Sequence, residues 1–178
     1  MPSGKRHVLL LGKPGDPHLL LIAGWLSPAF TLTMLTEPMV KPVPCDVLVS
    51  YRYSTVVPGP WLPELAINFH PGPPERPGIG STDWALHEGA LHFGVTAHHM
   101  ATVPDTGPII AVRRFPIRPH DTLLTLTQRA HAHMLSLADE VLTYVLLGEA
   151  LPWADDWWSG KPKTRKDLEA LKELWIAK

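Results

Sequence analysis

Three residues of this 178-residue chain have the types and spacing for acid–base chemistry: Asn68, His70 and Asp105. Asn68 and His70 lie two apart in Ile67-Asn68-Phe69-His70, so a strand there turns both to the same side. An amide donor beside an imidazole suits the stabilisation of a developing oxyanion. A carboxylate orients such an imidazole or raises its pKa, and Asp105, on the turn Val103-Pro104-Asp105-Thr106-Gly107-Pro108, is the natural partner. Taken only as structure, the same residues would be a capped loop and a turn aspartate. The loop that follows His70, Pro71-Gly72-Pro73-Pro74, is dense in residues that restrict or redirect the backbone.

The surrounding pattern supplies the elements to carry these groups. Residues 7–11 read as a first strand ending at Gly12. Asp16 as N-cap and Pro17 at the first helical position open a short helix over 18–26. Residues 30–35, 46–51 and 67–69 read as further strands. Ser81 and Thr82 are cap candidates for a helix over 83–87 stopped at Gly89, and strands are expected over 92–100 and 108–115. The clearest helix spans 121–147, with Asp121 as N-cap candidate and Gly148 as stop. Its residues Leu123, Leu126, Ala130, Met134, Leu137, Val141 and Val145 recur at 3–4 spacing and define one apolar face. Thr164 is placed to cap a last helix over 165–176. Strand–helix alternation in the first half gives an α/β class, organised as one domain over 1–150 with a tail over 151–178 packed on it.

Composition narrows the function classes. Hydrophobic residues make up 45% and charged residues 19%, which argues against disorder. Lys+Arg at 16 against Asp+Glu at 17 gives a net charge of -1, so a chain-wide basic footprint for nucleic acid is absent. The single cysteine, Cys45, precludes an internal disulfide, in keeping with a reducing compartment. The N-terminal apolar run, 8–11, is too short for a signal-peptide core. The longest greasy stretch, 19–26, falls well short of the roughly 20 residues a membrane span needs. The expectation is a cytoplasmic protein with no membrane partner.

The stretch from Asn68 to Ile110 resembles the core of the folate-dependent formyltransferases, a family that includes the glycinamide ribonucleotide, methionyl-tRNA and sugar N-formyltransferases. The shared pattern is Asn68-Phe69-His70, then a loop, Trp84-Ala85-Leu86, Gly94-Val95-Thr96 and Asp105-Thr106-Gly107; the strand DVLVSY extends it back to residue 46. The resemblance implies a Rossmann-like core with a trimmed N-terminal half and a long C-terminal helix. It implies formyl transfer from 10-formyltetrahydrofolate to a small primary amine, with no metal. Asn68 and a protonated His70 would hold the oxyanion, and Asp105 would set the charge of His70 and help deprotonate the amine. His98 would support them. The pterin would lie between Ser54, Thr55 and Val57 on one side and the backbone of Ala101, Val103 and Asp105 on the other.

The chain departs from the family pattern in three places. Gly72-Pro73-Pro74-Glu75 stands where relatives have Ser-Leu-Leu-Pro, Asn68 comes early, and about 70 residues follow Asp105. That last length leaves no room for the barrel with which methionyl-tRNA formyltransferases grip tRNA. An amino sugar, often nucleotide-linked, is therefore the expected acceptor. Two rivals stand beside this reading: a 10-formyltetrahydrofolate hydrolase with water as acceptor, and a non-catalytic folate- or nucleotide-binding module.

Other features read more modestly. Gly12 to Pro17, with Lys13, sits between a strand and a helix where a phosphate can bind, but its spacing matches neither phosphate-binding fingerprint. His131 and His133 read as surface or partly buried helix residues. Trp153, Trp157, Trp158 and Trp175 either pack the tail on the domain, form a homodimer contact or line the substrate cleft.

Overall fold

Four short β-branched and leucine-rich runs in the first 70 residues pair side by side in parallel: β1 (His7–Gly12), β2 (Thr31–Leu35), β3 (Val47–Tyr51) and β4 (Leu65–His70). The computed structural model describes residues 4–176. Two more strands complete a six-stranded sheet in the order β2-β1-β3-β4-β5-β6: β5 (His92–His99) adds antiparallel to β4, and β6 (Ile109–Pro116) antiparallel to β5. The helices are α1 (Pro17–Leu26), α2 (Ser81–His87), α3 (Leu123–Leu147) and α4 (Arg165–Ile176). This is the expected α/β, Rossmann-like core. Its first half is short: β2 passes to β3 through a loop, 36–46, that holds no helix.

The two faces of the sheet are covered differently. Val8, Leu10, Val49, Ile67, Phe69 and Val95 face α1 and α3 and pack against Ile22, Leu126, Met134, Leu137 and Val141. Each such aliphatic side chain contributes about 1.5–3 kcal/mol by leaving water. The opposite face carries Leu9, Leu11, Leu48 and Ala66 and is covered by loop residues, among them Met39, Tyr53, Trp61 and Leu62. Parallel sheets normally bury both faces under helices; here proline-rich loops close the second face. Asn68 and His70, in alternation with Ile67 and Phe69, belong to this loop-covered face.

The element ends show where local chemistry overrode the sequence expectation. Helix α1 begins as expected, with Asp16 accepting from the His18 N–H at 3.0 Å. Helix α3 is capped by Thr122 and not by Asp121. Thr122 accepts from the Thr125 N–H at 3.2 Å and Thr125 accepts from the Thr122 N–H at 2.9 Å, a reciprocal capping box. Asp121 instead accepts from the Arg118 N–H at 2.8 Å and pairs with Arg129. Helix α2 starts at Ser81, two residues earlier than expected, with Gly80 (φ 78°) as its N-cap. Ser81 is thereby free to turn its hydroxyl toward Arg76 and His70. Thr164 caps α4 as expected, accepting from the Asp167 N–H at 3.3 Å.

The segment between α3 and α4 returns across the site. Ala154 donates to the Ile109 carbonyl at 3.2 Å, Ser159 to Pro74 at 3.2 Å and Lys163 to Pro77 at 3.1 Å, while Ile79 donates back to the Lys163 carbonyl at 2.9 Å. Among the described residues, no helix is long and apolar enough to cross a membrane.

Candidate active site

Strand register brings the chemistry together. The antiparallel pairing of β4 with β5 sets Asn68 opposite His98 on one face, and their side chains meet, Asn68 Nδ2 to His98 Nε2, at 3.0 Å. His98 Nδ1 lies 2.8 Å from the His99 carbonyl, so the Asn68 amide and the Asp105 carboxylate share Nε2. The second N–H of that amide is left for the cleft that Asn68 lines.

Asp105 reaches the pair from a tight turn. Its own φ is 53°, a left-handed conformation that aspartate tolerates better than most residues. The turn is drawn hard against the end of β5: a Cβ on Gly107 would lie 1.9 Å from the His99 carbonyl oxygen, so only glycine fits there. The Asp105 carboxylate sits between two imidazoles, Oδ2 at 3.3 Å from His70 Nδ1 and Oδ1 at 3.4 Å from His98 Nε2. Oδ2 also accepts the Gly78 N–H at 2.8 Å. His70, His98 and Asp105 are 4%, 2% and 8% exposed.

Burial and charge oppose each other here. Burial alone would raise the Asp105 carboxyl. Charge on His70, the hydrogen bond and charge of His98, and the Gly78 N–H outweigh it and hold the carboxyl down at about 2. Asp105 is therefore an anion at any neutral pH. For His70 the balance runs the other way: burial lowers its pKa more than Asp105 and the Arg76 carbonyl raise it. Both ring nitrogens nevertheless face acceptors, Nδ1 toward Asp105 and Nε2 toward the Arg76 carbonyl at 3.1 Å. Each is thus a donor position once the ring takes up a second proton. A transition state that places negative charge nearby would supply what burial withholds.

The loop departure at Gly72 has a local cause. A Cβ on Gly72 would lie 2.5 Å from His70 Nε2 and 2.5 Å from Ser81 Oγ. The space beside Gly72 is taken by the Ser81 hydroxyl of α2, 3.4 Å from His70 Nε2. The Gly72→Ser variant, which restores the family residue, is expected to displace the His70 ring and lower turnover at least about tenfold; steady-state kinetics check it.

The site opens into a cleft of about 480 Å³ at the carboxyl ends of β1, β3 and β4. The strand order reverses at β1, and ligands of open α/β sheets bind at such a switch point. Ser54, Thr55, Val57, Ala101 and Asp105 line the cleft. Val103 does not: it is 57% exposed, and its carbonyl is taken by the Thr106 hydroxyl at 2.8 Å within the turn. Pro104 faces the cleft in its place.

Sequence reading missed the far end of the cleft. Arg52 and His131 join Lys13 there. Arg52, at φ 57°, pairs with the α1 cap Asp16 at 2.6 Å. His131 is pushed down to about 4, first by burial and then by the Arg52 charge. The position of Arg52 just past a strand end was the available signal; nothing in the helical spacing marked His131.

A family model for formyl transferases matches residues 34–142, more than half of the chain. The chain belongs to the formyl transferase family. Phosphoribosylglycinamide formyltransferase of Bacillus subtilis is 44% identical over 66 residues, covering 36% of this chain and 34% of that relative. GDP-perosamine N-formyltransferase of Brucella melitensis is 30% identical over 122 residues, 61% of this chain and 47% of its own length. The chain thus spans about a third of the first of these relatives and about half of the second. Among solved structures, the formyltransferase PseJ from Anoxybacillus kamchatkensis, in complex with UDP-4,6-dideoxy-4-formamido-L-AltNAc and tetrahydrofolate, superimposes with a TM-score of 0.77 at 26% identity. That match covers 96% of this chain and 90% of the other. In this formyl transferase the polar cluster of Asn68, His70, His98 and Asp105 falls within the matched residues 34–142.

Proposed function

We propose that this formyl transferase moves a formyl group from 10-formyltetrahydrofolate to a primary amine on a small, anion-bearing acceptor, an amino sugar linked to a nucleotide. The observation that carries this reading is the buried cluster of Asn68, His70, His98 and Asp105 at the mouth of the cleft. Donor chemistry supplies an activated formyl carbon. The residues of the chain do the rest. The free N–H of Asn68 and the imidazole of His70 stabilise the charge that grows on the formyl oxygen. Asp105, held as an anion, favours the proton on His70 and draws the proton from the attacking amine.

The cleft fits the two substrates. Val57, Met100 and Ala101 present an apolar wall of the kind a planar ring occupies. At the opposite end Lys13 and Arg52 carry positive charge beyond what Asp16 offsets, in support of an acceptor carrying phosphate. PseJ, with its nucleotide-sugar product and tetrahydrofolate, supports the same pairing. The net charge of -1 argues against a nucleic-acid acceptor. A homodimer through the tail belongs to this reading, with Trp153 and Trp157, each 74% exposed, as the apolar surface it would cover; particle mass in solution checks it.

The test is calorimetry with 5-formyltetrahydrofolate, a stable mimic of the donor, followed by product analysis with amino-sugar nucleotides. Micromolar binding and a formamido product are expected. Binding with free formate as the product would make the chain a hydrolase. Binding without either product would leave a binding module, and absence of donor binding would remove the formyl-transfer reading.

A further inference from the structure

One tryptophan from the returning segment packs on both imidazoles of the cluster. The Trp158 ring centroid lies 5.0 Å from that of His98 and 5.8 Å from that of His70, both in edge-on arrangements at 87° and 71°. Its Nε1–H donates to the Gly107 carbonyl at 2.8 Å, within the turn that presents Asp105. We propose that Trp158 is a positioning residue of the active site: its indole fixes the two imidazoles in the orientation that faces Asp105 and keeps water from their rear, with the segment 153–164 as the back wall. This rests on the formyl-transfer reading for its kinetic consequence, but not for its structural one.

The wall is anchored independently of the indole. Ser159 and Gly160 both donate to the Pro74 carbonyl, and Lys163 forms a strand-like bridge with Gly78, whose N–H holds Asp105. Arg114 of β6 ties the loop to the segment, pairing with Glu75 and Asp156 at 2.7 Å each. The loop that departs from the family pattern is thus held by a piece of chain far away in sequence. An imidazole at a strand end turns about its last torsion unless something packs on it. Register fixes only the Cβ positions of His70 and His98, and the indole fixes the rings.

The consequence is electrostatic. His70 is faced by Asp105 from its turn, by His98 from β5, by the Ser81 hydroxyl from α2 and by the Arg76 carbonyl from the loop; the Arg76 guanidinium is turned away to Glu88 at 2.7 Å. None of these groups belongs to the segment 153–164, so removing the indole takes none of them away. What changes is water, because burial is the largest influence lowering the His70 pKa.

The experiment is a histidine NMR titration of the ligand-free chain, with kinetics in parallel, on Trp158→Ala and Trp158→Phe. In the alanine variant the His70 midpoint is expected to rise by about half to one pH unit toward the ordinary value near 6.5. Turnover should fall about 10- to 100-fold, with KM for the donor within about twofold. Phenylalanine, which keeps an aromatic ring but is smaller than the indole and lacks its N–H, should restore a large part of both. A His70 midpoint in Trp158→Ala that is unchanged or lower overturns the proposal, as does turnover equal to wild type. Should the alanine variant not fold, Trp158→Leu also uncovers the ring edges and carries the same two outcomes. The titration needs no substrate, so a chain that never binds the folate mimic would remove the proposed activity while still deciding the role of Trp158.

Discussion

The Asp105→Asn variant is expected to lose about 10²- to 10⁴-fold in turnover while folding normally and binding the donor mimic within a few fold of wild type. The substitution keeps the shape and leaves an oxygen for the Gly78 N–H, so the turn that carries the residue has no reason to open. What disappears is the negative charge between His70 and His98. His70 is already disfavoured as a cation by burial, and Asp105 is the strongest influence acting the other way. Its loss lowers the His70 pKa further, so less of the enzyme carries the proton that the oxyanion needs.

The same substitution has a stability signature whose sign is fixed by the shift. The Asp105 carboxyl is held at about 2, below its ordinary value of 3.8. It therefore contributes stability that is fully present above pH 3.8 and is lost as pH falls toward 2. Asparagine cannot titrate, so the variant should lose less stability than wild type across that acid window, even if it is less stable at neutral pH. Kinetics at pH 7.5 and melting curves from pH 2 to 7 measure both effects. Turnover within threefold of wild type would remove Asp105 from the catalytic cluster.

Asn68→Ala is expected to cost about 10²- to 10³-fold, nearly all of it in kcat, because the lost donor acts on charge that develops only in the transition state. The amide is partly exposed at the cleft and makes one contact, with His98, so its removal leaves no buried partner beyond that ring. Asn68→Asp should be worse than alanine: a second carboxylate beside Asp105 repels the oxyanion it faces and pairs with the imidazoles instead. Steady-state kinetics with the acceptor and donor varied separately check the split. An equal loss in kcat/KM for the donor carried mainly by KM would assign Asn68 to ground-state binding.

The sequence carried the catalytic end of the cleft and much less of the rest. Asn68 and His70 were legible because a strand period of two is strict, and Asp105 because a Pro-Asp-Thr-Gly turn needs no tertiary information. The strands and the long helix α3 followed from the same local periodicities; the start of α3 shifted where two caps competed, at Asp121 and Thr122, and β4 begins two residues earlier than expected, at Leu65. The supporting contacts were not legible because they depend on register between distant strands and on loops crossing the sheet. Asn68 meets His98 only through the β4–β5 pairing. Ser81 reads as a helix cap in sequence and becomes a neighbour of His70 because Gly80 takes the cap position. Trp158 was visible as one of four tail tryptophans, and nothing local separates it from Trp153 and Trp157, which stand exposed.

The back wall also dates the site within the making of the chain. A ribosome adds about 5–20 residues each second, so β4, β5 and the Asp105 turn are complete well before Trp158 emerges. Until the segment through Lys163 is out, its pairing with Pro77 and Ile79 and the packing of Trp158 on the two imidazoles cannot form. Synthesis therefore delivers the back wall after every strand of the sheet it closes on.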